Sequence, residues 1–229
     1  MTDLTREPQY QNCVELRDAE GFAQLGLMSN QIWHDDPRRL LFVLARYKFV
    51  AKMFSGLENV LEVGCADGFG ARVVRQEVGA LTAVDFDTVF IEDARRHTTP
   101  RWPIVFKAHD ILCSAVPGAF DGVYSLDVLE HIVPEREEDF LRNIVASLAP
   151  GGAVIIGTPT LQSQTYASAP SKAGHVNVKD GAGLRALLAG FFGNVFVFSM
   201  NDEVVHTGFQ PMAHYLLALC CHPLAGAQE

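Results

Sequence analysis

Residues 60–70 read VLEVGCADGFG, an apolar strand that runs into a glycine-spaced turn and then into a helix-forming stretch. Gly64 and Gly68 allow positive φ and let a ligand lie against bare main chain, while Gly70 opens the following helix. A strand, a bare turn and a helix in this order form the first unit of a parallel α/β sheet. The glycines follow GxxxGxG, whereas the dinucleotide fingerprint is GxGxxG, whose second glycine makes room for a pyrophosphate. Ala66 fills that second place, and Asp67 sets a carboxylate inside the turn. Such a carboxylate repels a pyrophosphate and attracts a cation, for example a sulfonium bearing an α-amino group.

The rest of the chain repeats the theme. Apolar runs of strand length at 59–63, 80–84, 103–107, 119–125 and 152–157 alternate with helical patterns at 70–77, 87–97, 135–148 and 179–189. This predicts a doubly wound α/β fold with helices on both faces of a mostly parallel sheet. The last two strand candidates, 194–200 and 213–221, have no helix between them, because 201–212 carries Asn201-Asp202, Gly208 and Pro211. They are expected to pair antiparallel at the sheet edge, giving seven strands with an antiparallel last one. Ahead of the turn, Asp35-Asp36-Pro37 starts a helix over 38–53 whose apolar stripe includes Leu40, Leu44, Tyr47 and Val50. The reading is one domain overall: a helical cap over 1–54 and a ligand-binding domain over 55–229. Residues 158–178 show no regular pattern and follow a strand's carboxyl end, where open α/β sheets place ligands, so they form a candidate substrate lid.

Composition narrows the function classes. With 18 Lys and Arg against 27 Asp and Glu, the formal charge is -9. Phosphate-backbone binding needs clustered cations, so no nucleic-acid partner is expected. The longest apolar runs are about half the roughly 20 residues a spanning helix requires, and no membrane partner is expected. The five cysteines show no disulfide or zinc spacing, so no metal is assigned and a cytoplasmic location is expected.

The segment EVGCADGFG closely resembles the first motif of class I methyltransferases, which use S-adenosylmethionine (SAM) and release S-adenosylhomocysteine. Further matches follow in order over roughly 55–221. They are Asp85 in AVDFD, Asp110-Ile111 after the third strand, SLDVLEH at 125–131 and the LAPGG turn before 153–156. The resemblance implies that Glu62, Gly64, Ala66, Asp67, Gly68 and Gly70 hold the methionine part of SAM. It implies that Asp85 takes the ribose hydroxyls, that Phe86 flanks the adenine and that Asp110 accepts its amino group beside Ile111. Leu126 and Asp127 would line the sulfonium side.

For the acceptor the residues give alternatives. Glu62, a carboxylate in an apolar strand, must find a partner or protonate, and the N–H groups of its own turn serve as well as a ligand. Asp127 either meets ligand or caps the next turn. His175, in the lid, and His131 are candidate catalytic bases for a protonated nucleophile; each is equally a packed or hydrogen-bonded histidine. Tyr47 and Tyr166 join His175 as candidate substrate contacts, although Tyr47 also suits core packing. The expected function is methyl transfer from SAM to a small-molecule acceptor, oxygen first. N-methylation, an NAD-dependent oxidoreductase of similar fold and a non-catalytic SAM-binding module are the alternatives. A homodimer is compatible with the sequence.

Overall fold

The computed structural model describes residues 3–225, so the outermost residues of the two expected spans, 1–2 and 226–229, lie outside it. Three helices come first: α1 (Gln11–Glu20), α2 (Leu27–Asp35) and α3 (Arg38–Met53). Then follow β1 (Asn59–Val63), α4 (Ala71–Arg75), β2 (Ala80–Asp85), α5 (Thr88–Arg96), β3 (Val105–Ala108) and β4 (Phe120–Leu126). The second half holds α6 (Glu137–Ala146), β5 (Leu148–Pro159), α7 (Ala169–Gly174), α8 (Gly181–Ala189), β6 (Phe192–Asn201), β7 (Val204–His206) and β8 (Tyr215–Pro223).

One sheet runs in the order β3-β2-β1-β4-β5-β8-β6-β7. The strands from β3 through β5 pair in parallel, and β8 is antiparallel to both β5 and β6. Residues alternate between two cores. Leu61, Val63 and Val123 face Phe140, Ile144, Leu184 and Leu188 of α6 and α8. Val60 and Tyr124 face Tyr47, Val50, Ala71 and Val74 of α3 and α4. The α3 stripe is thus part of the main core, whereas α1 buries no residue. Among the described residues no helix is long and apolar enough to cross a membrane.

Three expectations change. The sheet has eight strands, not seven, because Asp202-Glu203 forms a two-residue turn that folds Val204–His206 back onto Ser199–Asn201. Asp202 takes the left-handed backbone (φ 52°) that such a hairpin turn needs, and the β-branched Val204-Val205 then extend the ladder. The pairing of the last long strands is antiparallel as expected, but β8 enters between β5 and β6 instead of forming the edge. The 158–178 segment is also more ordered than its pattern suggests. It holds a short 3-10 helix at Gln162–Tyr166 and α7, whose start is capped by the Ser168 hydroxyl.

Candidate cofactor and acceptor site

The turn after β1 lies at the carboxyl ends of the parallel strands. Gly64 (φ 81°), Ala66 (φ 45°) and Gly68 (φ 68°) all have left-handed backbone. At Gly64 a Cβ would overlap Val128 Cγ2, and at Gly68 it would lie 2.5 Å from the Phe106 ring. The turn is therefore bare because side chains pack around it as well as because of its φ angles. Ala66, a non-glycine residue there, is held by a 2.9 Å hydrogen bond from its N–H to Asp85 Oδ2. Asp85 Oδ1 accepts the Asp87 N–H at 2.9 Å. Each oxygen keeps a lone pair for a further donor, such as a hydroxyl. Phe86 beside it is 78% exposed, an apolar face with no protein cover.

Glu62 is 1% exposed. Tyr47 and Tyr124 donate their phenol O–H groups to its two oxygens at 2.7 and 2.9 Å. Phenols, and not the N–H groups of its own turn, therefore hold both of its oxygens. Burial pushes the Glu62 carboxyl up from its ordinary 4.5 to about 7, with the two phenols pulling the other way. Tyr47 is committed to this bond and its ring covers Gly70, so it is a core residue rather than an acceptor contact.

Asp67 is likewise covered. Its carboxylate accepts the Ser29 N–H at 2.7 Å and the Phe69 N–H at 3.1 Å, while Asp93 accepts the Leu27 N–H at 2.8 Å. Two acids thus satisfy two of the free N–H groups at the start of α2 and seat that helix over the glycine turn. Ile111 and Leu126 are core residues, 6% and 4% exposed, and lie beneath the surface on which the sequence placed them. Asp110 is exposed and its Oδ1 accepts the Leu112 N–H at 2.9 Å. Tyr166 is 86% exposed and points away from any core.

Beyond β4 a polar group assembles that is only partly legible in the sequence. Asp127 (φ 58°) neither caps a helix nor stands free: Arg46 Nη1 lies 2.7 and 2.6 Å from its two carboxylate oxygens. The same guanidinium sits 3.8 Å from the centre of the Tyr215 ring. Arg46 Nε and the Tyr215 hydroxyl are buried without hydrogen-bond partners in the described protein. Next to them Glu130 is 1% exposed and accepts the Thr158 hydroxyl at 3.2 Å. Burial and then Asp127 push its carboxyl up to about 8. His131 and His175 stack edge to face, 5.1 Å between ring centres. Burial, and then His131, lowers the His175 pKa.

Of the site residues named from sequence, the structure gathers Asp127, His131 and His175 at one end and the glycine turn with Asp85 at the other. Arg46, Glu130, Thr158 and Tyr215 lie at the same end as Asp127. Glu130 carries the signal that marked Glu62, an acid flanked by Val128, Leu129 and Ile132; the neighbouring histidine drew attention instead.

Residues 61–156 match the family described as Methyltransferase domain. The chain is 26% identical over 165 residues to a mitochondrial ubiquinone biosynthesis O-methyltransferase of Schizosaccharomyces pombe, covering 66% of this chain and 57% of that protein. It is 26% identical over 195 residues to the Chromobacterium violaceum ubiquinone biosynthesis O-methyltransferase, covering 73% and 81%. In fold it is similar to the N-methyltransferase NodS from Bradyrhizobium japonicum WM9 in complex with S-adenosyl-l-homocysteine. That likeness has a TM-score of 0.61 at 24% identity over 84% of this chain and 91% of the other. A bare turn after β1, an acid closing β2, an antiparallel strand set into a parallel sheet and a matching methyltransferase domain across its middle agree: residues 61–156 match a methyltransferase domain, and the chain has the fold of class I SAM-dependent methyltransferases.

Proposed function

We propose that this chain transfers the methyl group of SAM to an oxygen of a small cytoplasmic acceptor, bound where β4 and β5 end. The segment before β1 acts as a cap over the cofactor. SAM, when bound, supplies an electrophilic methyl carbon, and the chain's residues hold, orient and shield. The turn at 64–68 offers main-chain contact, Asp85 keeps acceptor lone pairs for ribose hydroxyls, and exposed Phe86 offers a face for the adenine. Asp67 bears on the cofactor through the helix it anchors, and Glu62 through the two tyrosines it holds.

The observation that carries the acceptor side is the pair of orphaned buried polar atoms, Arg46 Nε and Tyr215 Oη, set beside Asp127. Buried polar groups are almost always satisfied, so these mark where a polar ligand group completes the site. Methyl transfer is an in-line displacement, for which well-aligned partners gain roughly 7–11 kcal/mol in favourable cases. A hydroxyl acceptor also has to lose its proton, and His131 and His175 stand beside Glu130 with a ring nitrogen each to spare. The ubiquinone-pathway relatives support oxygen as the target.

The test is transfer of a labelled methyl group from SAM to panels of small hydroxyl, carboxylate and amine compounds. Labelling of hydroxyl or carboxylate compounds supports the reading, and labelling confined to amines replaces it with N-methylation. A stabilising shift with NAD but none with S-adenosylhomocysteine removes it altogether.

A further inference from the structure

We propose that Glu130, His131 and His175 form a binding site for one divalent transition-metal ion at the acceptor end of the pocket. A carboxylate oxygen of Glu130 and one ring nitrogen from each histidine already lie within 4.8 Å of one another. Three donors around a zinc ion stand roughly 3.3 Å apart, so side-chain rotations that move the donor atoms by about 1 Å close the shell.

Backbone bonds build this proximity. The Glu130 carbonyl accepts the N–H groups of Val176 and Asn177 at 2.8 and 3.0 Å. In return the Gly174 carbonyl accepts His131 Nδ1 at 2.9 Å. His175 lies between these anchors, so the lid is fastened to the β4 turn on both sides of the one residue it contributes.

Both rings are oriented in the same manner. His131 Nδ1 donates to the Gly174 carbonyl and His175 Nδ1 to the Gln164 side-chain oxygen at 2.8 Å. A carbonyl acceptor keeps the proton on Nδ1 and leaves Nε2 with a free lone pair. Metal-ligating imidazoles are held in this way by their outer shell. Glu130 is buried, and among the described residues the Thr158 hydroxyl is the side-chain donor to its carboxylate, on Oε2. The other oxygen has no side-chain donor among the described residues, so it is open to a ligand. Two imidazoles with one carboxylate suit zinc, manganese, cobalt or iron(II) rather than calcium.

This rests on the reading of the pocket as the methyl-acceptor site, and it deepens that reading. A bound ion would supply Lewis acidity to an acceptor oxygen and lower the pKa of its hydroxyl, whose proton would pass to solvent; the two imidazoles would then hold the ion in place of the base role given them above.

Calorimetric titration of the tag-free, chelator-treated full chain with Zn2+, and separately with Mn2+, tests the site. The expected result is one equivalent bound by the wild type, with at least tenfold weaker binding in His131→Ala and His175→Ala. Both variants should keep the thermal shift produced by S-adenosylhomocysteine. Glu130→Gln should lose the ion as well, and if it fails to fold, the two histidine variants at the pocket surface carry the test. No stoichiometric uptake of either ion overturns the site, as does uptake unchanged in the doubly substituted His131→Ala/His175→Ala chain. Loss of the S-adenosylhomocysteine shift in the wild type overturns the cofactor reading instead and leaves the metal titration to stand by itself.

Discussion

Tyr47 of α3 donates a 2.7 Å hydrogen bond to Glu62 of β1. The bond ties the helix layer before the sheet to the strand that leads into the glycine turn. Tyr124 of β4 donates to the other oxygen, so three elements meet on one buried carboxylate.

That carboxylate makes stability depend on pH. Burial raises the Glu62 pKa from 4.5 to about 7 in the folded chain. Between those values the folded state keeps a proton that the unfolded state has released, so stability falls as pH rises from about 4.5 to about 7. Above 7 the buried anion costs roughly 3 kcal/mol relative to acid conditions. Glu62→Gln removes this titration. Denaturant unfolding at pH 5 and pH 8 should show the wild type losing more stability across the interval than the variant. Parallel losses in both would disprove the assignment.

Gly64→Ala should destabilise the fold through two separable effects. The left-handed backbone costs a non-glycine residue roughly 1–2 kcal/mol, and overlap with Val128 adds about 1–3 kcal/mol. Adding Val128→Ala to Gly64→Ala should recover the overlap part but not the backbone part. A double variant no more stable than Gly64→Ala would show that Val128 is not the obstacle.

Asp67→Ala leaves the Ser29 N–H at the start of α2 without its acceptor. Loss of a helix cap costs typically about 1 kcal/mol. The effect should be local, with faster amide exchange and faster protease cleavage across residues 21–36 and little change in the sheet. Uniform loss of protection would mean that α2 is not an independently docked cap.

Asp85→Asn should weaken S-adenosylhomocysteine binding about tenfold or more, equivalent to roughly 1.4 kcal/mol. The amide nitrogen must face either the Ala66 or the Asp87 N–H, both now bonded to the carboxylate. Wild-type affinity with an unchanged circular dichroism spectrum would remove Asp85 from the cofactor site.

Where local pattern and tertiary role coincide, the sequence was sufficient. The helix at Arg38–Met53, the strand at Asn59–Val63 and the glycine turn all follow from spacing and φ requirements. The methyltransferase fold and its cofactor followed from motif order. Contacts between distant segments were not legible. Asp67 reads as a ligand group until α2 is seen to dock on it, and Tyr47 reads as a pocket residue until its partner is found to be Glu62. The short strand Val204–His206 was hidden by its polar surroundings, although Asp202-Glu203 is a hairpin turn. Glu130 carried the same signal as Glu62, an acid among apolar neighbours, but His131 beside it drew attention, and only the fold shows that the acid is the buried one of the two.

The place of β8 bears on how the chain matures during synthesis. Because Tyr215–Pro223 pairs with β5 on one side and β6 on the other, both strands have exposed edges until the segment leaves the ribosome. Unpaired edges recruit other strands, so a nascent or C-terminally shortened chain is open to aggregation just where the finished sheet is most enclosed.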